Sequence, residues 1–180
     1  MRVQTRARRI RMILTDVDGT LTDGTLTVLP DGEEIKSYHV KDGLGVLLAQ
    51  LVGLKLGIIT GKRSKGLERR AELLKISELH QGVPDKRPVF EAILTRYGLR
   101  REEVAYIGDD LGDLAVLRRV GLAAAVADAH PEVKKCAHYV CRSAGGHGAF
   151  RELVEFIISA QGQWDRVEAE FKAIFERPIS

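Results

Sequence analysis

Cysteine is scarce in this chain, two residues in 180. That excludes a disulfide framework and makes a reducing compartment, the cytoplasm, the expectation. No apolar run approaches the length of a membrane span, and no apolar core ahead of a cleavage site marks a secretion signal. Aromatic residues make up 6% and the net charge is only +3. A nucleic-acid surface needs a clustered basic face with aromatic or motif support, so the mild basic excess suits a small anionic substrate better. Internal repeats and low-complexity segments are lacking, as is any insertion large enough for a second domain.

What is present is an ordinary globular composition, 44% hydrophobic and 29% charged. It suffices for one domain over residues 1–180 with a substantial core. Arg2, Arg6, Arg8, Arg9 and Arg11 crowd the start and read as a solvated basic arm leading into the first strand. That strand, residues 10–15, is a short apolar run, as expected of a strand covered on both faces. Two β-prone runs, 24–29 and 33–40, flank Pro30-Asp31-Gly32, turn chemistry that predicts a β-hairpin flap over 24–40. Beyond it the pattern alternates. Helices are expected over 42–52, 62–75, 87–97, 111–119 and 149–160, and strands over 54–60, 79–82, 104–107, 122–127 and 139–141. An amphipathic tail over 161–180 carries Trp164, Val167, Phe171 and Ile174. Strands separated by single helices imply right-handed crossovers. The expected fold is therefore a three-layer, Rossmann-like α/β domain with a parallel sheet, a hairpin appendage and no large cap domain.

The first strand ends in Asp16-Val17-Asp18-Gly19-Thr20, two carboxylates that would repel each other without a cation. In a parallel sheet, ligands bind outside the carboxyl ends of the strands. Thr60-Gly61, Lys86 and the acidic group Asp109, Asp110 and Asp113 fall at strand or helix ends there as well. Each has a plainer use: Thr60 can simply end a strand, Lys86 can be a solvated loop residue, and Asp110 or Asp113 can cap the next helix. Gly145-Gly146-His147-Gly148 ahead of a helix could hold an anion through its amides, or merely permit a tight turn. Cys136, His138 and Cys141 lack a fourth ligand in sequence and read as incidental rather than as a metal site.

In this order the features resemble the four motifs of the haloacid dehalogenase superfamily. That resemblance assigns nucleophilic attack on phosphorus to Asp16 and acid/base work to Asp18, and places Thr60, Gly61 and Lys86 on the phosphoryl oxygens. Hard oxygen ligands imply Mg²⁺ held by Asp16, the backbone carbonyl of Asp18 and Asp109, with Asp110 and Asp113 in support. Further stretches, among them Glu33-Glu34-Ile35-Lys36, residues 39–43, residues 121–131 and residues 144–149, resemble the capless 3-deoxy-D-manno-octulosonate-8-phosphate phosphatases. That likeness implies a sugar-acid phosphate substrate contacted by His39, Val40, Lys41, Asp42, Gly43, Lys62 and Arg70, besides Asp18, Thr60, Gly61 and Lys86. It also implies a homotetramer whose hairpins assemble and whose neighbouring subunits close each site. The chain departs from that family at Lys62 and Leu47, where arginine is frequent, and lysine cannot offer the bidentate fork of arginine. A nine-carbon sialic- or KDN-type sugar-acid phosphate, or a non-catalytic oligomerising module, are the alternatives.

Overall fold

The computed structural model describes residues 2–76 and 78–175. In chain order the elements are α1 (Val3–Ala7), β1 (Met12–Thr15), β2 (Thr27–Val28), β3 (Glu34–Ile35), α2 (Val40–Leu51), β4 (Lys55–Ile59), α3 (Lys65–Leu73) and β5 (Glu78–His80). They continue with α4 (Lys86–Tyr97), β6 (Val104–Gly108), α5 (Leu114–Leu117), β7 (Leu122–Ala125), α6 (Pro131–Cys136), β8 (Tyr139–Val140), α7 (Ala149–Gln161) and α8 (Trp164–Phe175).

Six strands form one parallel sheet in the order β5-β4-β1-β6-β7-β8. The chain runs outward from β1 through β4 to β5, then returns to β6 on the other side of β1. Right-handed crossovers therefore put α2 and α3 on one face and α4, α5 and α6 on the other. Helix α7 packs against α2 and α1, and α8 reaches α2. Covered on both sides, Met12, Ile13 and Leu14 of β1 are fully buried, which is why that run shows no alternation. The reversal beside β1 opens a crevice at the carboxyl ends of β1 and β6, where Asp16 and Asp109 follow their strands.

The three-layer parallel fold without a large cap is as expected; local differences have physical causes. The basic start is not a free arm. It contains α1, whose Ala7 is fully buried, while Arg6 donates to the Gly121 carbonyl at 2.7 Å and Arg8 to that of Ala160 at 3.1 Å. The hairpin has strands of only two residues each, separate from the main sheet, and residues 36–39 leave the strand conformation so that His39 can N-cap α2. Lys86 is the first residue of α4, capped by Asp85, and not a loop residue. Helix α6 went unforeseen; its signal is Pro131 in the first turn after His130. In the expected tail, Val167 of α8 is buried and Ile174 exposed, and residues 176–180 lie outside the described residues.

Candidate active site

Asp16 continues the line of β1, its amide donating to the Ile107 carbonyl at 3.1 Å. Thr60 follows β4 and is pinned on both sides, its amide to His80 and its carbonyl to Val83. Asp109 follows β6. With Asp18, Gly61, Lys62 and Lys86 these residues line a cleft of about 290 Å³.

The centre of the cleft is a buried ion-pair network. Lys86 Nζ donates to Asp16 Oδ1 at 2.5 Å, to Asp113 Oδ1 at 2.7 Å and to the Tyr106 hydroxyl at 3.0 Å. All three of its donors are therefore spent. The Tyr106 hydroxyl in turn donates to Asp113 Oδ1 at 2.6 Å, and Asp113 Oδ2 accepts from the amides of Asp109 and Asp110. Tyr106 completes this network, and no motif announced it. It sits mid-strand in β6, fully buried, where only a hydroxyl with partners is tolerated.

Carboxylate oxygens of Asp16, Asp109 and Asp113 lie within 4.8 Å of one another. Asp113 is committed to Lys86, Tyr106 and two amides, so a cation would fall to Asp16 and Asp109. The electrostatics fit that division. Burial, then the charge of Asp113, push Asp16 up to about 6 against the pull of Lys86. Burial, then Asp113 and Asp16, push Asp109 up to about 7. Burial alone would lower Lys86, but Asp113 and Asp16 hold it above its ordinary value. One ammonium does not balance three clustered carboxylates, and a divalent cation with hard oxygen ligands would. Gly19 belongs to this geometry as well: at φ +85°, a Cβ there would lie 2.1 Å from Asp109 Oδ2.

A pH dependence follows. The folded protein holds protons on Asp16 and Asp109 above their ordinary value of 3.8, protons that the unfolded chain has released. Metal-free stability should therefore fall as pH rises from about 4 to about 7. Mg²⁺ should raise the Tm more at about pH 8 than at about pH 5, where protons compete for the same oxygens. Equal stabilisation at both pH values in a calorimetric scan would contradict this charge assignment.

The remaining sequence-selected residues divide between places. Lys62 pairs with Glu34 of the hairpin at 3.2 Å. Asp110 caps the short turn after β6, accepting from the Leu111 amide at 2.7 Å. His39, Asp42, Gly43 and Arg70 line a separate, mainly apolar pocket with Tyr38, between α2 and α3. There His39 Nδ1 accepts from the Lys41 amide, Val40 is exposed, and the Arg70 guanidinium occupies the space a Cβ on Gly43 would need. The buried Asp42 carboxylate accepts from the Gly148 and Arg151 amides at the start of α7, so it joins α2 to α7 and does not face the cleft. Lys41 lines a groove with Arg142, His147 and Arg151.

The glycine-rich loop holds no free anion nest. Its amides donate to Asp128 from Gly145, to Thr20 from Gly146, to Ala144 from His147 and to Asp42 from Gly148. A Cβ on Gly145 would lie 1.8 Å from the Gly19 carbonyl oxygen, so the loop clamps the turn that carries Asp18. Cys136 and Cys141 are free thiols, and His138 accepts from the Ala123 amide. Besides Tyr106, sequence reasoning missed a second contact at the site itself. Lys36, on the strand-exit side of the hairpin, pairs with Asp18 Oδ1.

Residues 74–153 match the family model described as haloacid dehalogenase-like hydrolase. The 3-deoxy-D-manno-octulosonate 8-phosphate phosphatase KdsC of Escherichia coli (strain B / BL21-DE3) is 42% identical over 168 residues, 93% of this chain and 89% of that protein. The enzyme of the same name from Yersinia pestis is 46% identical over 156 residues, 87% and 83% of the two chains. Among solved structures, the 3-deoxy-D-manno-octulosonate 8-phosphate phosphatase of Moraxella catarrhalis, in complex with magnesium ion, phosphate ion and KDO, superposes with a TM-score of 0.90. It is 36% identical, covering 94% of this chain and 97% of that one.

Proposed function

The chain belongs to the haloacid dehalogenase-like hydrolases and, within them, to the 3-deoxy-D-manno-octulosonate 8-phosphate phosphatases, and on that premise we propose that it hydrolyses this sugar phosphate with Mg²⁺. The observation that carries the reading is the Lys86–Asp16 pair beside Asp109 at the switch point of the sheet. An excess of buried carboxylate next to a fixed ammonium is what an incoming phosphate and a divalent cation would balance. The same intact network argues against a non-catalytic module.

In this reading Asp16 attacks phosphorus, forming an Asp16 oxygen–phosphorus bond as the bond to the sugar oxygen breaks. Asp18 gives its proton to the departing sugar oxygen, then takes one from water as that water attacks the aspartyl-phosphate. Phosphate leaves and the Asp16 carboxylate is regenerated. Asp16, Asp109 and the backbone carbonyl of Asp18 would hold Mg²⁺, which when bound offsets charge on the transferring group. Lys86 aligns Asp16 and faces the phosphoryl oxygens, and Thr60 with the Gly61 amide donates to them. Asp113 and Asp110 support that frame. Lys62, Arg70 and the segment 39–43 are read as substrate contacts from the mouth side, with Asp42 acting through the α2–α7 junction.

Assembly is part of the same reading. Leu26, Val28, Ile35 and Val40, on and beside the hairpin, are 41%, 62%, 47% and 79% exposed. Such a strand edge with apolar side chains is suited to pairing between copies, and a tetramer would cover a cleft that no cap shields. We place the enzyme in the cytoplasm, within the synthesis of the lipopolysaccharide sugar. Among the described residues no helix is long and apolar enough to cross a membrane.

The test is turnover with Mg²⁺ on 3-deoxy-D-manno-octulosonate 8-phosphate beside a nine-carbon sugar-acid phosphate. The expected result is a higher kcat/KM for the eight-carbon acid. A clear preference for the nine-carbon acid would reassign the substrate, and the departures at Lys62 and Leu47 would then carry the difference.

A further inference from the structure

Lys36 is not used by the chemistry above, yet its ammonium pairs with Asp18, a residue that lines the cleft. Its side chain is 2% exposed, and among the described residues its one hydrogen bond is to Asp18 Oδ1. An ammonium carries three donors, and buried donors left without acceptors are costly. The partner is incompletely satisfied too: Asp18 Oδ2 is buried with no hydrogen bond. Lys86, the other lysine of the site, has all three donors engaged and stands on the first turn of a twelve-residue helix.

Lys36 also follows directly on a lightly anchored hairpin. The hairpin has two residues per strand and makes no ladder with the main sheet. Among the described residues its ion pairs to the body are Lys36–Asp18 and the exposed Lys62–Glu34. A surface pair such as the latter contributes little.

We propose that Lys36 is a substrate ligand delivered by the hairpin, resting on Asp18 while the cleft is empty and donating to a phosphoryl oxygen when it is filled. This rests on the phosphatase reading of the cleft. Phosphoryl oxygens offer this ammonium more acceptors than the single carboxylate oxygen does, and the transfer frees Asp18 Oδ1 beside the departing oxygen. A dianionic phosphate competes well for a lysine held by one carboxylate, since charge-assisted bonds to either are comparable. The hairpin would then close over the substrate as a consequence of binding it.

The experiment is competitive inhibition by inorganic phosphate, with Mg²⁺ present, in the wild type, Lys36→Met and Lys36→Arg. Losing one charge-assisted hydrogen bond should raise the inhibition constant by about tenfold or more in Lys36→Met. Lys36→Arg should stay close to wild type, and KM for the sugar phosphate should rise in Lys36→Met alone. Circular dichroism and melting of both variants report whether the fold is intact. Phosphate inhibition of Lys36→Met equal to or stronger than wild type would overturn the proposal, as would equal weakening in Lys36→Arg. If the wild type neither turns over a sugar phosphate nor is inhibited by phosphate with Mg²⁺, the phosphatase reading fails first, and the two failures are thereby told apart.

Discussion

Asp16→Asn is expected to lower phosphate release by on the order of ten-thousandfold or more, the scale seen when a covalent nucleophile is removed. The fold should persist, and the reason lies in the charge balance. Asp16 is a buried carboxylate whose charged form is already disfavoured by burial and by Asp113. An amide of the same shape removes that repulsion, while Lys86 keeps Asp113 and Tyr106 as partners. The metal-free Tm should therefore stay level or rise near neutral pH even as turnover disappears. Steady-state phosphate release and a melting curve on one preparation check both halves. Retained turnover would refute the nucleophile assignment, and a collapsed fold would refute the charge balance.

Lys86→Met should do the opposite to stability. It leaves Asp16 and Asp113 buried against each other without their shared cation, and breaking a buried pair from one side costs about 3–5 kcal/mol. Turnover should fall by about a hundredfold to a thousandfold, the scale of losing one fixed electrostatic contribution at the reacting centre, here the positive charge that aligns Asp16. Adding Asp16→Asn to Lys86→Met should recover part of the lost stability and none of the activity, because the recovered term is electrostatic and the lost one is chemical. Denaturant midpoints of the four proteins measure the coupling. A double variant no more stable than Lys86→Met would mean that the network holds the fold by packing rather than charge.

The frame of this site was readable because its parts sit at strand or helix ends. Asp16, Thr60, Lys86 and Asp109 each follow an apolar run or a turn, and their order along the chain matches their convergence in space. Partners that depend on tertiary packing were not readable. Nothing in the neighbourhood of Tyr106 says that its hydroxyl will meet Lys86 and Asp113, because mid-strand aromatics are ordinarily core. Asp42 looked like a substrate residue through its place in the 39–43 segment, but its carboxylate meets the start of α7 more than a hundred residues later. Lys36 was part of a recognised stretch, yet only the turn of the hairpin brings it onto Asp18. The short helices α1 and α6 were missed for a different reason: at five and six residues they are too brief for a periodic signal and form because packing and caps hold them.

The most direct test of the account is a single-turnover reaction with 3-deoxy-D-manno-octulosonate 8-phosphate and Mg²⁺, quenched in acid at early times and mapped by mass spectrometry. Phosphate is expected covalently attached to Asp16, labile to hydroxylamine, appearing before free phosphate and absent in Asp16→Asn. Free phosphate released with no covalent phosphate at Asp16 at any time, or phosphate attached to another residue, would contradict it.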